Sequence, residues 1–407
     1  MQQIKKDKGF KILNYFMFIA VFSIKAGIDV LEQRGIRLPI SDNFKYIIFA
    51  LAIAFCLFQL FIYRVYRKTN RKYEFKKELI FLLIVCGIFL VYSIYLANKT
   101  NINLPKRTYV ELVYLIMPAL YSFCIINIYT FKELEKSMKI LFWIYLILYM
   151  YSINIFSVSI NDILNISFTN SNSYFESSIF AFPMLVLFFF FSYYRKNNKY
   201  YWIGSLIFTL LTFKRMIMVW AIILFVLDNI MELRFNVKRK WKYIFAIMFI
   251  CGAVIYYQAL TDTGFGKIIV DALGMDLESG TMGRKWFLSL ILNGQYPIFG
   301  YGSSSIILGE IFNVEDIKYL EMDLVKIYLE LGVGCLSIFT IYFWKLTKDN
   351  LFNIIMMISI FMNLLVSHSL TNPFEWTIIY LILICISKNS SNRNDLSGKK
   401  KYLIKYR

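Results

Sequence analysis

The chain has 407 residues, 58% of them hydrophobic and 19% aromatic, with a mean hydropathy of +0.56 and a formal net charge of +19. Its apolar residues come in long blocks rather than at amphipathic spacing, which excludes a soluble globular protein and fits helices rather than a barrel. The basic excess sits in short clusters between those blocks, where it reads as topology signals facing the cytoplasm, so no nucleic acid partner is indicated.

The predicted fold is an all-α integral membrane protein with about twelve transmembrane helices. They fall near residues 10–28, 46–63, 79–97, 109–131, 139–158, 175–194, 200–213, 216–232, 243–260, 322–344, 351–368 and 374–387. Most of these blocks approach the roughly 20 residues needed to cross a bilayer core, although the seventh is short and polar-ended. The first is expected to be retained, because no small-residue cleavage site follows Ile24 and Lys25 interrupts the apolar run. Basic residues in alternate connections favour one side by roughly two to one, which assigns that side and both termini to the cytoplasm. The basic stretches 64–77, 234–242 and 399–407 are then cytoplasmic anchors without a catalytic role. Cys56, Cys86, Cys124, Cys251, Cys335 and Cys385 all lie inside apolar blocks, which indicates neither a disulfide framework nor a thiolate metal site. Residues 1–407 read as a single polytopic membrane domain.

The opposite side carries the unusual material. Residues 29–45 and 98–107 form short polar loops. Residues 159–174 are rich in Asn and Ser, which suit sugar hydroxyls, although a solvated loop is the simpler account. Residues 261–321 form one large extracytoplasmic loop between spans nine and ten, too long for a mere turn. A short amphipathic helix is expected over 265–273. It is followed by SGTMGRKWFLSLILNGQYPIFGY at 279–301, in which Thr281 is placed to cap a second amphipathic helix over about 282–292. That places Arg284 in a first helical turn, where free backbone N–H groups and the helix dipole already favour an anion.

Several charges at this face are candidates for chemistry. Lys214 and Arg215, in LTFKRMIMVW, stand at a tight junction between spans where basic residues oppose topology signalling; snorkelling to headgroups is the competing account. Arg284 and its neighbour Lys285 suit a phosphate, or face headgroups as ordinary surface charges. In EMDLVKIYLELGVG, Glu321, Asp323 and Lys326 open span ten. Asp323 and Lys326 either neutralise one another on a shared helix face, or Asp323 takes a proton from a reacting hydroxyl. Glu330, ahead of Gly332 and Gly334, is expected to pack against a neighbouring helix or a cavity wall. His368, the sole histidine, stands in LVSHSLTNP as a carbonyl-bonding helix-end residue or an acid or base. There is no phosphate loop of the Walker type, no dinucleotide fingerprint, no nucleophile elbow and no metal-ligand spacing, so neither a cofactor nor a metal is implied.

Together these motifs resemble the bacterial O-antigen and capsular polysaccharide polymerases, in the same broad superfamily as the O-antigen ligases. The resemblance rests on topology over most of the chain and on three short stretches: TFKRM, GTMGRKW followed by PIFGYGSSS, and EMDLVKIYLELGVG. It implies that Arg215 and Arg284 handle the lipid diphosphate of a glycan donor, and that Glu321-Met322-Asp323, where ligases tend to carry a histidine, favours polymerase over ligase. The implied reaction transfers a growing glycan from undecaprenyl diphosphate to the next lipid-linked oligosaccharide repeat unit at the outer face of a bacterial cytoplasmic membrane. Asp323 would be the base and Lys214 would assist the arginines; Lys285, Glu321, Lys326 and His368 would face substrate. Membrane lipid, a chain-length regulator and a flippase are the partners implied. The alternatives are a lipid-linked oligosaccharide flippase or transporter, and a ligase-type glycan transferase.

Overall fold

The computed structural model of the chain describes residues 8–36, 43–67, 73–157, 159, 175–274, 276–277, 281, 283–294, 297–312 and 319–404. The Asn- and Ser-rich loop expected to meet sugar hydroxyls lies outside the described residues except for Ser159. Among those described the chain is helical, with a single isolated bridge between Asn236 and Asn350. In chain order the helices are α1 Lys8–Gln33, α2 Phe44–Arg67, α3 Lys76–Lys99, α4 Lys106–Ile128, α5 Phe131–Ser152, α6 Ser178–Tyr193, α7 Lys199–Leu211 and α8 Arg215–Ile230. They continue as α9 Lys240–Leu260, α10 Gly264–Leu273, α11 Arg284–Asn293, α12 Ser303–Phe312, α13 Asp323–Leu346, α14 Leu351–Val366 and α15 Pro373–Ile404.

A helix lies over each of the twelve apolar blocks, but among the described residues only six helices are long and apolar enough to cross a membrane: α1, α2, α3, α4, α9 and α13. The difference has a physical cause. Helices α6, α8 and α14 have 16 residues each and α7 has 13; at 1.5 Å per residue they fall short of a hydrocarbon core of about 30 Å. Helix α5 is long enough but opens on charge, with Lys132, Glu133, Glu135, Lys136 and Lys139 in its first turns. That opening is fixed by a capping box in which the Thr130 hydroxyl accepts from the Glu133 N–H and the Glu133 carboxylate accepts from the Thr130 N–H. Helix α15 is longer still, but its sequence is apolar only in the first half. Helix α6 is apolar all round and buried almost throughout, as a helix without a polar face must be.

The helices group into two compact units. The first comprises Met1–Lys76, Met117–Phe235 and Phe374–Arg407. Within it, Asn14 on α1 and Gln59 on α2 exchange two amide hydrogen bonds of 2.9 and 2.7 Å, satisfying both side chains in an apolar setting. Asp228, buried on α8, binds Arg195 and Arg234 at 3.1 Å each and accepts from the Ser192 hydroxyl at 3.0 Å. The basic stretch read as a cytoplasmic anchor therefore gives Arg234 to an ion pair inside the unit.

The second unit comprises Lys77–Ile116 and Asn236–Pro373. Its long helices α9 and α13 pack on one another, and the three short helices α10, α11 and α12 occupy the stretch between them in sequence. An apolar cluster of Leu260, Leu288, Ile291, Ile307, Leu308, Leu320, Met322 and Val325 fastens α11 and α12 to the ends of α9 and α13. The connection expected as a loop with two amphipathic helices thus contains a third, α12, whose SSSIILGEIF is apolar and largely buried. Helix α10 turns back closely on α9. A Cβ at Gly266 would stand 2.2 Å from the Ala259 backbone nitrogen and 2.4 Å from the Ile255 carbonyl oxygen, so only glycine permits the approach. Gly266→Ala is expected to destabilise the purified protein by about 1–3 kcal/mol or more, read as a lower thermal unfolding midpoint in detergent.

Candidate functional site

The site is built on the turn that joins α11 to α12. In PIFGYGSSS, Gly300 has φ 128° and Gly302 φ 90°, the left-handed region that favours glycine. A Cβ on Gly300 would lie 2.6 Å from the Ser93 Cβ, so the chain passes directly against α3. The buried Tyr301 is tied at both backbone groups: its N–H donates to the Ser93 hydroxyl at 3.0 Å, and its carbonyl accepts from the Thr108 hydroxyl at 2.7 Å. Burial, with the carboxylates of Glu111, Asp323 and Glu330 nearby, pushes the Tyr301 phenol up and keeps it neutral.

Glu330 supplies an acceptor for the free N–H groups at the α12 N-terminus. Its carboxylate accepts from the N–H groups of Gly302 and Ser304, both at 2.8 Å, and from the Ser304 hydroxyl at 2.5 Å. Two residues further on, α13 is interrupted at Gly332, whose φ 75° and ψ 177° are not helical. The expectation that Glu330 packs on a helix or cavity wall is therefore sharpened: it is the acceptor that fixes α12.

A second carboxylate gathers the nearby cations. Glu111 on α4 receives the Lys326 ammonium at 2.6 Å, the Arg107 Nε at 3.0 Å and the Ser305 hydroxyl at 3.2 Å. Lys326 is thus buried and committed to Glu111 and to Ser305, at 3.3 Å, rather than paired with Asp323 or open to substrate. Its ammonium also lies 5.4 Å from the Tyr301 ring centroid.

Asp323 and His368 form a third group. One Asp323 oxygen meets His368 Nδ1 at 2.7 Å; the other accepts from the N–H groups of Ser369 and Leu370, at 2.6 and 2.9 Å. Nε2 lies 2.6 Å from the Thr371 hydroxyl; in the tautomer that keeps the proton on Nδ1, facing the carboxylate, Nε2 is the acceptor of that contact. Asp323 is 1% exposed and its oxygens are occupied, whereas His368 is 13% exposed. Of the pair, Asp323, the residue the sequence nominates, is the enclosed member and His368 the more accessible one. Tyr319 stacks on the imidazole with ring centroids 4.1 Å apart, and also lies 4.9 Å from the Arg107 guanidinium.

Arg284 opens α11 after Gly283, which holds φ 84° at the cap, close to the expected start. Thr281 accepts from the Lys285 N–H at 3.4 Å while its own hydroxyl donates to the Leu277 carbonyl. The Arg284 guanidinium gives Nη1 to the Thr281 carbonyl at 3.0 Å and Nε to the Glu321 carbonyl at 3.2 Å, with the mostly exposed Glu321 carboxylate at 3.6 Å. Lys285 pairs with Asp262 at 2.8 Å. Arg284 is therefore bonded to Glu321, two residues ahead of Asp323 and its partner His368, at the head of α13. Lys214 and Arg215 belong to the first unit, where Lys214 pairs with Glu176 at 2.7 Å and Arg215, exposed, starts α8.

Sequence reasoning missed Arg107, Glu111 and Tyr319. One signal was present: Arg107 and Glu111 stand four apart at the head of an apolar block, the spacing of a helical ion pair. No protein-family model, curated protein or solved structure matches the chain. Removing Glu111 as Glu111→Ala strands two buried cations and is expected to cost about 3–5 kcal/mol. Adding Lys326→Met is expected to recover much of that loss, and a double-mutant cycle on thermal unfolding measures the coupling.

Proposed function

We propose that the protein is a polysaccharide polymerase of the bacterial cytoplasmic membrane, with about twelve spans, both termini in the cytoplasm and residues 261–321 at the outer face. It transfers a growing glycan from undecaprenyl diphosphate to a hydroxyl of the next lipid-linked repeat unit. The observation that supports this reading is an arginine at a helix start bonded to the Glu321 backbone, two residues ahead of an Asp-His pair at the head of α13. A group transfer from a diphosphate to a hydroxyl asks for those two functions. The bond between the anomeric carbon and the diphosphate oxygen breaks, the bond to the acceptor oxygen forms, and the acceptor proton passes to a base.

Arg284 stabilises the departing diphosphate by preorganised charge, with its helix N-terminus contributing in the same direction. His368 Nε2 accepts the proton, displacing its bond to Thr371, and Asp323 orients the ring and steadies the imidazolium that forms. Arg215 and Lys214 keep the donor-handling role that the resemblance of TFKRM implies, and rest on that resemblance alone. Membrane lipid, a chain-length regulator and a flippase are the expected partners.

The interruption of α13 at Gly332 favours a second reading, a lipid-linked oligosaccharide flippase, because broken helices with a charged residue beside the break line many transport sites. Complementation separates the two. In a strain lacking the native gene, Arg284→Lys is expected to abolish long glycan chains, with roughly a 10²–10³-fold loss of rate. Single repeat units then accumulate at the outer face at normal protein level; repeat units trapped at the inner face support the flippase, and unchanged long chains remove Arg284 from the mechanism. His368→Gln and Asp323→Asn are each expected to slow polymerisation by roughly 10²–10⁴-fold. Combining them costs little more, because the pair acts as one unit; additive losses in a membrane polymerisation assay would contradict that.

A further inference from the structure

Arg107 has a donor without an acceptor. Its side chain is 9% exposed, its Nε is bound to Glu111 at 3.0 Å, and the Tyr319 ring and phenol lie beside its guanidinium, yet Nη2 is buried with no hydrogen-bond partner. A buried donor left unpaired is destabilising, so Nη2 has an unmet need for an acceptor oxygen. A second orphan stands at the adjoining helix start. The Ser303 hydroxyl is fully buried and unpartnered, and a Cβ on the preceding Gly302 would meet Arg107 Cγ at 3.3 Å. The bond to Glu111 holds the guanidinium through Nε and leaves Nη2 unused, and Tyr319 links it to His368 by ring contacts on both.

We infer that Arg107 is a second phosphate-binding arginine of this site, its Nη2 taking a phosphate oxygen of the donor while Nε stays on Glu111. The inference rests on the proposed use of a diphosphate-linked donor and adds to it a residue outside the motifs that carry the resemblance. Phosphate oxygens also occur on phospholipid headgroups and as free phosphate, so the test must separate these sources.

The full-length protein in phosphatidylcholine nanodiscs is titrated with farnesyl diphosphate, alone and in competition with inorganic phosphate or with phosphatidylglycerol added to the bilayer. Arg107→Lys is the informative variant: it keeps a cation for Glu111 but has no second arm. We expect the wild type to bind farnesyl diphosphate, Arg107→Lys to bind it at least about tenfold more weakly, and the unfolding midpoint to stay within about 2 °C. Equal binding by the two proteins, or none by the wild type, overturns the inference and leaves Arg107 as a partner of Glu111 only. Competition by phosphatidylglycerol or free phosphate at concentrations similar to those of farnesyl diphosphate overturns the donor assignment in favour of a headgroup or phosphate site. If binding depends on Arg107 while Arg284→Lys traps repeat units at the inner face of cells, the phosphate site stands and the polymerase reading falls.

Discussion

The ion pair between Glu111 and Lys326, closed to solvent, is the interaction around which the second unit is arranged. Two charges taken out of water lose several kcal/mol of hydration each, and their attraction recovers this only where the remaining lone pairs and protons also find partners. Here they do: Arg107 and Ser305 complete the carboxylate, and Ser305 also accepts from the ammonium. Because Glu111 lies on α4, Lys326 on α13 and Ser305 on α12, satisfying the charges fixes three helices at once. The same device recurs with Glu330, which binds α13 to the start of α12, and with Asp323, which binds α13 to the turn at 369–370.

These three residues of α13 form a stripe. Asp323, Lys326 and Glu330 are spaced three and four apart, so an unbroken helical segment presents them on one face, and the break at Gly332 comes only after the last of them. Each takes a different partner, since no single neighbour supplies a complement to all three. Apolar packing of Leu288, Ile291, Ile307 and Leu308 gives the short helices adhesion without direction. The stripe supplies the direction, at the energetic disadvantage that an unpaired member would be strongly destabilising.

Much of this was legible in the sequence, and the rest was hidden for identifiable reasons. Long apolar blocks announce helices, and a helix stands over each block, but block length overstated helix length: the block at 175–194 yields α6 only from Ser178 to Tyr193. Arg284 was readable because glycine and threonine before an amphipathic run mark a helix start. The glycines of PIFGYG were readable as a turn, but not the Ser93 that makes glycine necessary, because that neighbour lies about two hundred positions away in the chain. The partner of Lys326 was hidden likewise: spacing nominates Asp323, three residues off, whereas the bond goes to Glu111 across 215 positions. Asp323 was recognised as chemically interesting, but His368 as its partner depends on a turn after α14 that no local pattern encodes.

What separates a structural charge from one available for chemistry at such a site is the count of unfilled hydrogen-bonding positions. Glu330 and Asp323 accept from several donors each, and Glu111 from three; a carboxylate so occupied, with about four acceptor sites in all, has little capacity left for a substrate. The groups with capacity are of another kind. Arg284 places two donors on backbone carbonyls, which hold it still, and its one carboxylate neighbour, Glu321 at 3.6 Å, is mostly exposed. His368 offers Nε2 to a hydroxyl that a substrate hydroxyl can replace. In the proposed reaction the labour is divided: the occupied carboxylates hold position, and Arg284 and His368 meet the substrates. For departure of a diphosphate the division is well matched, because donors oriented before the reaction need no reorganisation as negative charge develops on the leaving oxygen.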